Sequence, residues 1–191
     1  MSSIGHLDAS AQSGVWSQFN PSGTRPSKRA GHAACYDSHA RRLIIMGGET
    51  DEGLDSLVWA LSLDSCITRW NQIPTTGGPP RSRKEHTIVY DPASNRVILF
   101  GGEAETFHAQ TEVDTLYGDL WALNLNTNPA TWSNITDSTS NTKPCPRAGH
   151  TAVVASNIMK IYAGEVAAGA GYTVDTFTLN MSTMVWGKVT P

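Results

Sequence analysis

The chain has 191 residues, 39% hydrophobic and 16% charged, with a formal net charge of -3. That balance supports a packed core, and the scattered Lys and Arg form no basic stripe, so nucleic acid is not expected as a partner. No apolar run nears the roughly 20 residues of a membrane helix, and the first residues lack the basic start and apolar stretch of a signal peptide; a cytoplasmic protein without membrane contact is expected.

In chain order, residues 1–13 read as a flexible N-terminus and 14–20, "GVWSQFN", as a lone strand carrying Trp16. A first unit follows at 25–73. It opens on Arg29-Ala30-Gly31-His32, continues through "HAACYD" and the apolar "RLIIM", and stops on Gly47-Gly48. Trp59 in "LVWALSL" and Trp70 complete it. The second unit, 79–135, repeats the order: Arg83-Lys84-Glu85-His86, "HTIVYD", "RVILF", Gly101-Gly102, Trp121 in "DLWALNL" and Trp132. The third, 144–189, has Arg147-Ala148-Gly149-His150, "HTAVVA", "MKIY", Ala163-Gly164, Phe177 and Trp186. Trp16 precedes Arg29 by the distance at which Trp70 precedes Arg83, so the lone strand reads as the last strand of a further unit.

Each unit holds four short segments rich in β-branched and aromatic residues, divided by Gly, Pro, Asn and Asp, and a repeat of about 50 residues with four strands describes a propeller blade. The second segment is apolar on both sides of the pleat, as a strand between neighbouring blades must be. Its glycine pair ends the strand where a side chain would crowd. Asp91-Pro92-Ala93-Ser94-Asn95 favours a tight reversal between the first two strands. The two aromatics per unit are expected to hold blade against blade.

These landmarks together resemble the kelch repeat, over residues 14 to 189. The resemblance implies an all-β, kelch-type β-propeller segment: three four-stranded antiparallel blades and the orphan N-terminal strand. Glu85, Ala163 and Phe177 depart from the pattern. Three blades fall short of the roughly 4 to 8 that close a ring, which leaves a piece of a larger propeller, a ring completed by a second chain, or an open three-blade arc that needs help to be stable.

Glu49, Glu103 and Glu165 each follow the glycine pair; three carboxylates in a ring are one arrangement for a hard cation, and solvation of a loop start is the other. No metal and no cofactor are expected. His32, His86 and His150 are read as hydrogen-bonding elements of the repeat; Arg29, Arg83 and Arg147 either pair with carboxylates of the adjacent blade, the favoured role, or present a guanidinium to an acidic partner. Cys35, Cys66 and Cys145 lack CxxC spacing and are read as reduced thiols. Cys35 and Tyr36, neighbours on opposite faces of one strand, do not assemble the copper site found in galactose oxidase. The longest connection after a glycine pair carries Glu105, Phe107, His108, Glu112, Asp114 and Tyr117, aromatics in an acidic surround. Loops displayed by a rigid scaffold concentrate binding residues, so this stretch is the expected contact for another protein, together with the "TTGGPPRSR" and "STSNTKPCPR" connections. The expectation is a non-catalytic scaffold; the alternative is a carbohydrate-active or other kelch-type enzyme with its site at the channel mouth.

Overall fold

The computed structural model describes residues 18, 20–63, 68–108, 111–138, 142–167 and 171–190, with backbone alone for 106–108, 111–114, 138 and 167. Trp16 and Cys66 lie outside the described residues, as do the N-terminus 1–13 and most of the expected strand 14–20.

The runs of β-branched and aromatic residues form strands because their side chains fit a pleated, half-buried surface. In unit one Ala33–Asp37, Arg42–Met46, Val58–Ser62 and Arg69–Ile73 pair in that order, all antiparallel. Unit two pairs Thr87–Asp91, Arg96–Phe100, Leu120–Asn124 and Ala130–Asn134. Unit three pairs Thr151–Ala155, Ile158–Tyr162, Thr176–Asn180 and Val185–Val189. Among the described residues the 3-10 turn Thr136–Ser138 is the one helical piece, so the chain is an all-β propeller segment of three antiparallel blades.

Two blades carry a strand that the sequence did not suggest. Ser22–Gly23 runs parallel to Arg69–Ile73, and Thr75–Thr76 runs parallel to Ala130–Asn134. The segment leading into a unit is thus laid along that unit's outer edge. The close approach needs glycine: a Cβ on Gly23 would stand 2.3 Å from the Trp70 carbonyl oxygen, and one on Gly77 would stand 2.4 Å from that of Trp132.

The hairpin between the first and second strands is fixed by a buried aspartate in two units. Asp37 Oδ1 accepts from the His39 and Ala40 amides while Oδ2 takes Arg42 Nε at 2.7 Å. Asp91 does the same with Ala93, Ser94 and Arg96. Burial opposes the charge of Asp37, yet the Ala40 amide and Arg42 hold its carboxyl below the usual range. Unit three uses a two-residue turn instead, Ser156 and Asn157 at φ 49 and 63, the positive pair that matches strand twist.

The first strands of successive units lie side by side, and the sheets stack face to face behind them. One core joins units one and two through Ile44, Met46 and Val58 on one side and Val97, Leu99 and Trp132 on the other. The second joins units two and three through Ile98, Phe100 and Leu120 against Met159, Phe177 and Trp186. The fourth-strand tryptophans Trp132 and Trp186 are therefore buried against the preceding unit, as expected of the mortar between blades. Trp121 is only half buried, and its Nε1 donates to Asp119 at 2.7 Å.

Candidate functional site

Each of the three Arg-x-x-His phrases begins with an arginine whose guanidinium ties together two other parts of its own unit. Arg29 Nη1 donates to the Gly47 carbonyl at 2.9 Å and Nη2 pairs with Asp55 at 2.8 Å. Arg83 donates to the Gly101 carbonyl at 2.9 Å and grips both oxygens of Asp119, at 2.6 and 2.9 Å. Arg147 repeats this with the Ala163 carbonyl at 2.9 Å and Asp175 at 2.8 Å. The expectation of carboxylates from the adjacent blade is thus corrected: the aspartate stands just before the third strand of the same blade, where the fork of the guanidinium reaches strand end and carboxylate at once. Burial works against the charge of Asp119, and the Arg83 pair holds its carboxyl below the ordinary value all the same. The bond to Arg147 does so for Asp175. Sequence reasoning missed Asp55, Asp119 and Asp175. The signal was "DLW" against "DTF", blurred in unit one by the longer "DSLVW".

The glycine pair answers two different histidines. A Cβ on Gly47 would lie 2.5 Å from Cε1 of His86 in the next unit, and one on Gly101 would lie 3.0 Å from that of His150. The second glycine faces its own unit's histidine: added Cβ atoms on Gly48, Gly102 and Gly164 would meet the Cβ of His32, His86 and His150 at 3.0, 2.6 and 2.9 Å. His150 Nε2 is 2.8 Å from Thr87 Oγ1 of unit two. Among the described residues neither ring nitrogen of His86 has a hydrogen-bond partner, and Nδ1 of His150 has none either; at Nε2 of His86 the reason is that Ala33 stands where Thr87 would. The hydrogen-bonding role expected of all three histidines therefore holds at His150 and fails at His86. Burial, then Arg83, pulls His86 down to about 3, and burial, then Arg147, pulls His150 down to about 4, so both are neutral packing groups.

Backbone bonds stitch the units around the axis. Gly48 and Gly102 donate to the carbonyls of Arg83 and Arg147 in the next unit, and Gly31 and Glu85 accept from the amides of Glu85 and Gly149. Gly31, Glu85 and Gly149 share one conformation, φ 63, 57 and 62. Glu85 thus adopts a backbone that disfavours a side chain, with its carboxylate beside Gly31 at the mouth of a groove of about 350 Å³ lined by His32, His86 and His150.

A two-stranded ribbon leaves each unit directly after the glycine pair: Glu49–Thr50 with Gly53–Leu54, Glu103–His108 with Thr111–Leu116, and Glu165–Ala167 with Gly171–Tyr172. Paired backbone bonds tie Glu49 to Ala30, Glu103 to Lys84 and Glu165 to Ala148, so the ribbons leave the three units at equivalent positions. The backbone sets Glu105 opposite Asp114, Phe107 opposite Glu112 and His108 opposite Thr111; the side chains of Phe107, His108, Glu112 and Asp114 lie outside the described residues. Lys84 bridges Glu49 of unit one, at 3.1 Å, to Glu105 of the long ribbon. The two carboxylates raise the Lys84 ammonium, Glu105 most strongly. Tyr117 lies with its ring 4.1 Å from the Arg83 guanidinium carbon. Tyr172, which the sequence did not single out, is 86% exposed on the third ribbon. Thr75 and Thr76 of the "TTGGPPRSR" connection sit on the outer edge of unit two.

Among the described residues no three His, Cys, Asp or Glu come close enough to hold a metal ion, and Glu49 takes Lys84 instead. Cys35 packs in the core between units one and two, where burial, then Asp37, pushes its thiol up to about 12; Tyr36 is exposed on the opposite face. No helix of the described residues is long and apolar enough to cross a membrane.

Residues 6–191 match the family described as the KLHDC2/KLHL20/DRC7 Kelch-repeats domain. The chain is 32% identical over 177 residues to acyl-CoA-binding domain-containing protein 5 of Arabidopsis thaliana, covering 92% of this chain and 24% of that protein. It is 29% identical to the host cell factor homolog hcf-1 of Caenorhabditis elegans, over 79% of this chain and 20% of that one. It is 31% identical to host cell factor 2 of Homo sapiens, over 76% and 18%. It spans about a quarter or less of the length of these relatives. The solved structure of YjhT superposes with a TM-score of 0.64 at 16% identity, over 86% of this chain and 51% of that chain, a likeness of fold.

Proposed function

The chain belongs to the kelch-repeat family, and from that premise we propose that it is a non-catalytic scaffold that captures another protein on the rim of three ribbons. The observation that carries this reading is the equivalent origin of the ribbons, each fastened by backbone bonds beside a clasp of arginine, strand-end carbonyl and aspartate. A binding surface on stiff supports loses little entropy when a partner docks. In sequence the long ribbon carries Glu112 and Asp114 close to Phe107, and Tyr172 adds an exposed aromatic, so the partner segment is basic with apolar side chains between its charges. The units are 25–73, 79–135 and 144–189, and they form part of a larger propeller.

The test is capture of peptides that alternate Lys or Arg with apolar residues. Replacing Phe107 and Tyr172 together by Ala lowers capture about tenfold, a change of roughly 1.4 kcal/mol, while the thermal midpoint stays in place. Unchanged capture would overturn the rim reading. The groove at the channel mouth favours a second reading, an enzyme of the carbohydrate-acting kelch kind. Its histidines His86 and His150, however, are buried against Gly47 and Gly101, which leaves Glu85 and His32 as its exposed polar groups. Sugar turnover lost in Glu85→Gly would favour the enzyme.

A further inference from the structure

The junction of units one and two and the junction of units two and three part company at the end of the strands away from the ribbons. Arg42 and Arg96 begin the second strands of units one and two, and each gives its Nε to the buried aspartate of its own hairpin. Arg96 then reaches across to unit three, where Nη2 donates to the Met181 carbonyl at 2.7 Å and lies 3.6 Å from the Met184 sulfur. Arg42 has no such neighbour in unit two. Its terminal nitrogens have no hydrogen-bond partner among the described residues.

The register accounts for the difference. Leu125 holds the place of Met181, each amide donating to the first hairpin of its own unit. Thr131 pairs with Asn124 as Val185 pairs with Asn180, so Ala130, one residue earlier, holds the place of Met184. A methyl group stands where the other junction has a long thioether chain. The space stays open as a groove of about 450 Å³, walled by Arg42, Ala60 and Ile73 of unit one and by Leu125, Thr127 and Ala130 of unit two. Arg42 is the one ionisable residue that lines it, and its side chain is 25% exposed.

We propose that this groove is a binding site for a small carboxylic acid, with the acid on the terminal nitrogens of Arg42 and its apolar stem in the space that Met184 fills at the other junction. A recess of a few hundred Å³ with an apolar wall and one oriented polar group is the ordinary form of a small-molecule site. The donor is set before any ligand arrives: Asp37, with no accessible side-chain surface, is held by the His39 and Ala40 amides and in turn fixes Arg42. Little side-chain freedom is then lost on binding. The planar fork favours a carboxylate, because two nitrogens meet two oxygens at once, and no Asp or Glu lines the groove to compete. Both walls come from consecutive units of this chain, and the site is separate from the ribbons.

The test is titration of the full chain with sodium hexanoate, read by ligand-observed NMR, beside its neutral twin hexanamide. Hexanoate binds at least about tenfold more tightly than hexanamide. Arg42→Gln weakens hexanoate about tenfold or more; because that change also leaves Asp37 without its partner, Ala130→Met serves as the second variant. It puts the thioether of the other junction into the groove, abolishes hexanoate binding and leaves the thermal midpoint in place or raises it. No binding up to about 10 mM, equal binding of the acid and the amide, or hexanoate bound unchanged by Ala130→Met would overturn the site. A capped tripeptide with a central glutamate that binds about tenfold more tightly than hexanoate would assign the groove to a protein side chain and overturn the small acid.

Discussion

The junction between units one and two and the junction between units two and three bury matching sets of side chains, yet only the later one bonds its histidine. At the later junction Thr87 meets His150, and Phe100 packs edge-on to that imidazole with ring centroids 5.5 Å apart. At the earlier one Ala33 offers no hydroxyl, and Nε2 of His86 has no partner among the described residues, while Nδ1 is unpaired at both junctions. An unmet buried polar group costs about 1–3 kcal/mol, and the earlier junction tolerates it. The difference teaches that the histidine is held at this position by shape, against a glycine of the unit before, and that the hydrogen bond is an addition.

The largest way to break the comparison is to remove the shape. Trp132→Ala empties the earlier junction of a wholly buried indole and should lower stability by about 3–5 kcal/mol in urea unfolding; Trp186→Ala does the same for the later junction. A smaller loss in Trp132→Ala than in Trp186→Ala would show the earlier junction to be already loose.

Acid acts on both junctions together. Each histidine has a folded pKa below its unfolded value of 6.5, so its contribution is whole above pH 6.5 and is lost as pH falls. From pH 6.5 to 5.5 the loss should be about 1 kcal/mol per histidine. It ends near pH 4 for His150 and near pH 3 for His86. The lowered carboxyls of Asp37, Asp119 and Asp175 add a further loss below their unfolded value of 3.8. Flat stability between pH 7 and 5 would contradict neutral burial of the imidazoles.

The smallest change sharpens the comparison. Ala33→Thr places a hydroxyl where Thr87 holds one and should raise stability by about 1 kcal/mol, while Thr87→Ala should remove a similar amount. Equal and opposite shifts in the unfolding midpoint would show that one bond is the whole difference.

The strands, their order and the repeat were legible because periodic apolar runs and glycine pairs are local signals. Trp132 and Trp186 were legible as mortar for the same reason. The arginine partners were not, since Arg83 and Asp119 meet only after two strands have turned back, and an adjacent blade was the simpler guess. The histidines misled because a recurring polar residue suggests a bond, whereas the recurring physical need was a flat ring over glycine.

The short parallel pieces Ser22–Gly23 and Thr75–Thr76 belong by hydrogen bonding to the blade that follows them. The exchangeable module of this protein is therefore a strap plus four strands, and its seam falls at Ile73–Pro74, ahead of the strap. A graft cut at residue 79 would leave the outer strand of blade two bare; one cut at residue 74 would carry its own selvedge.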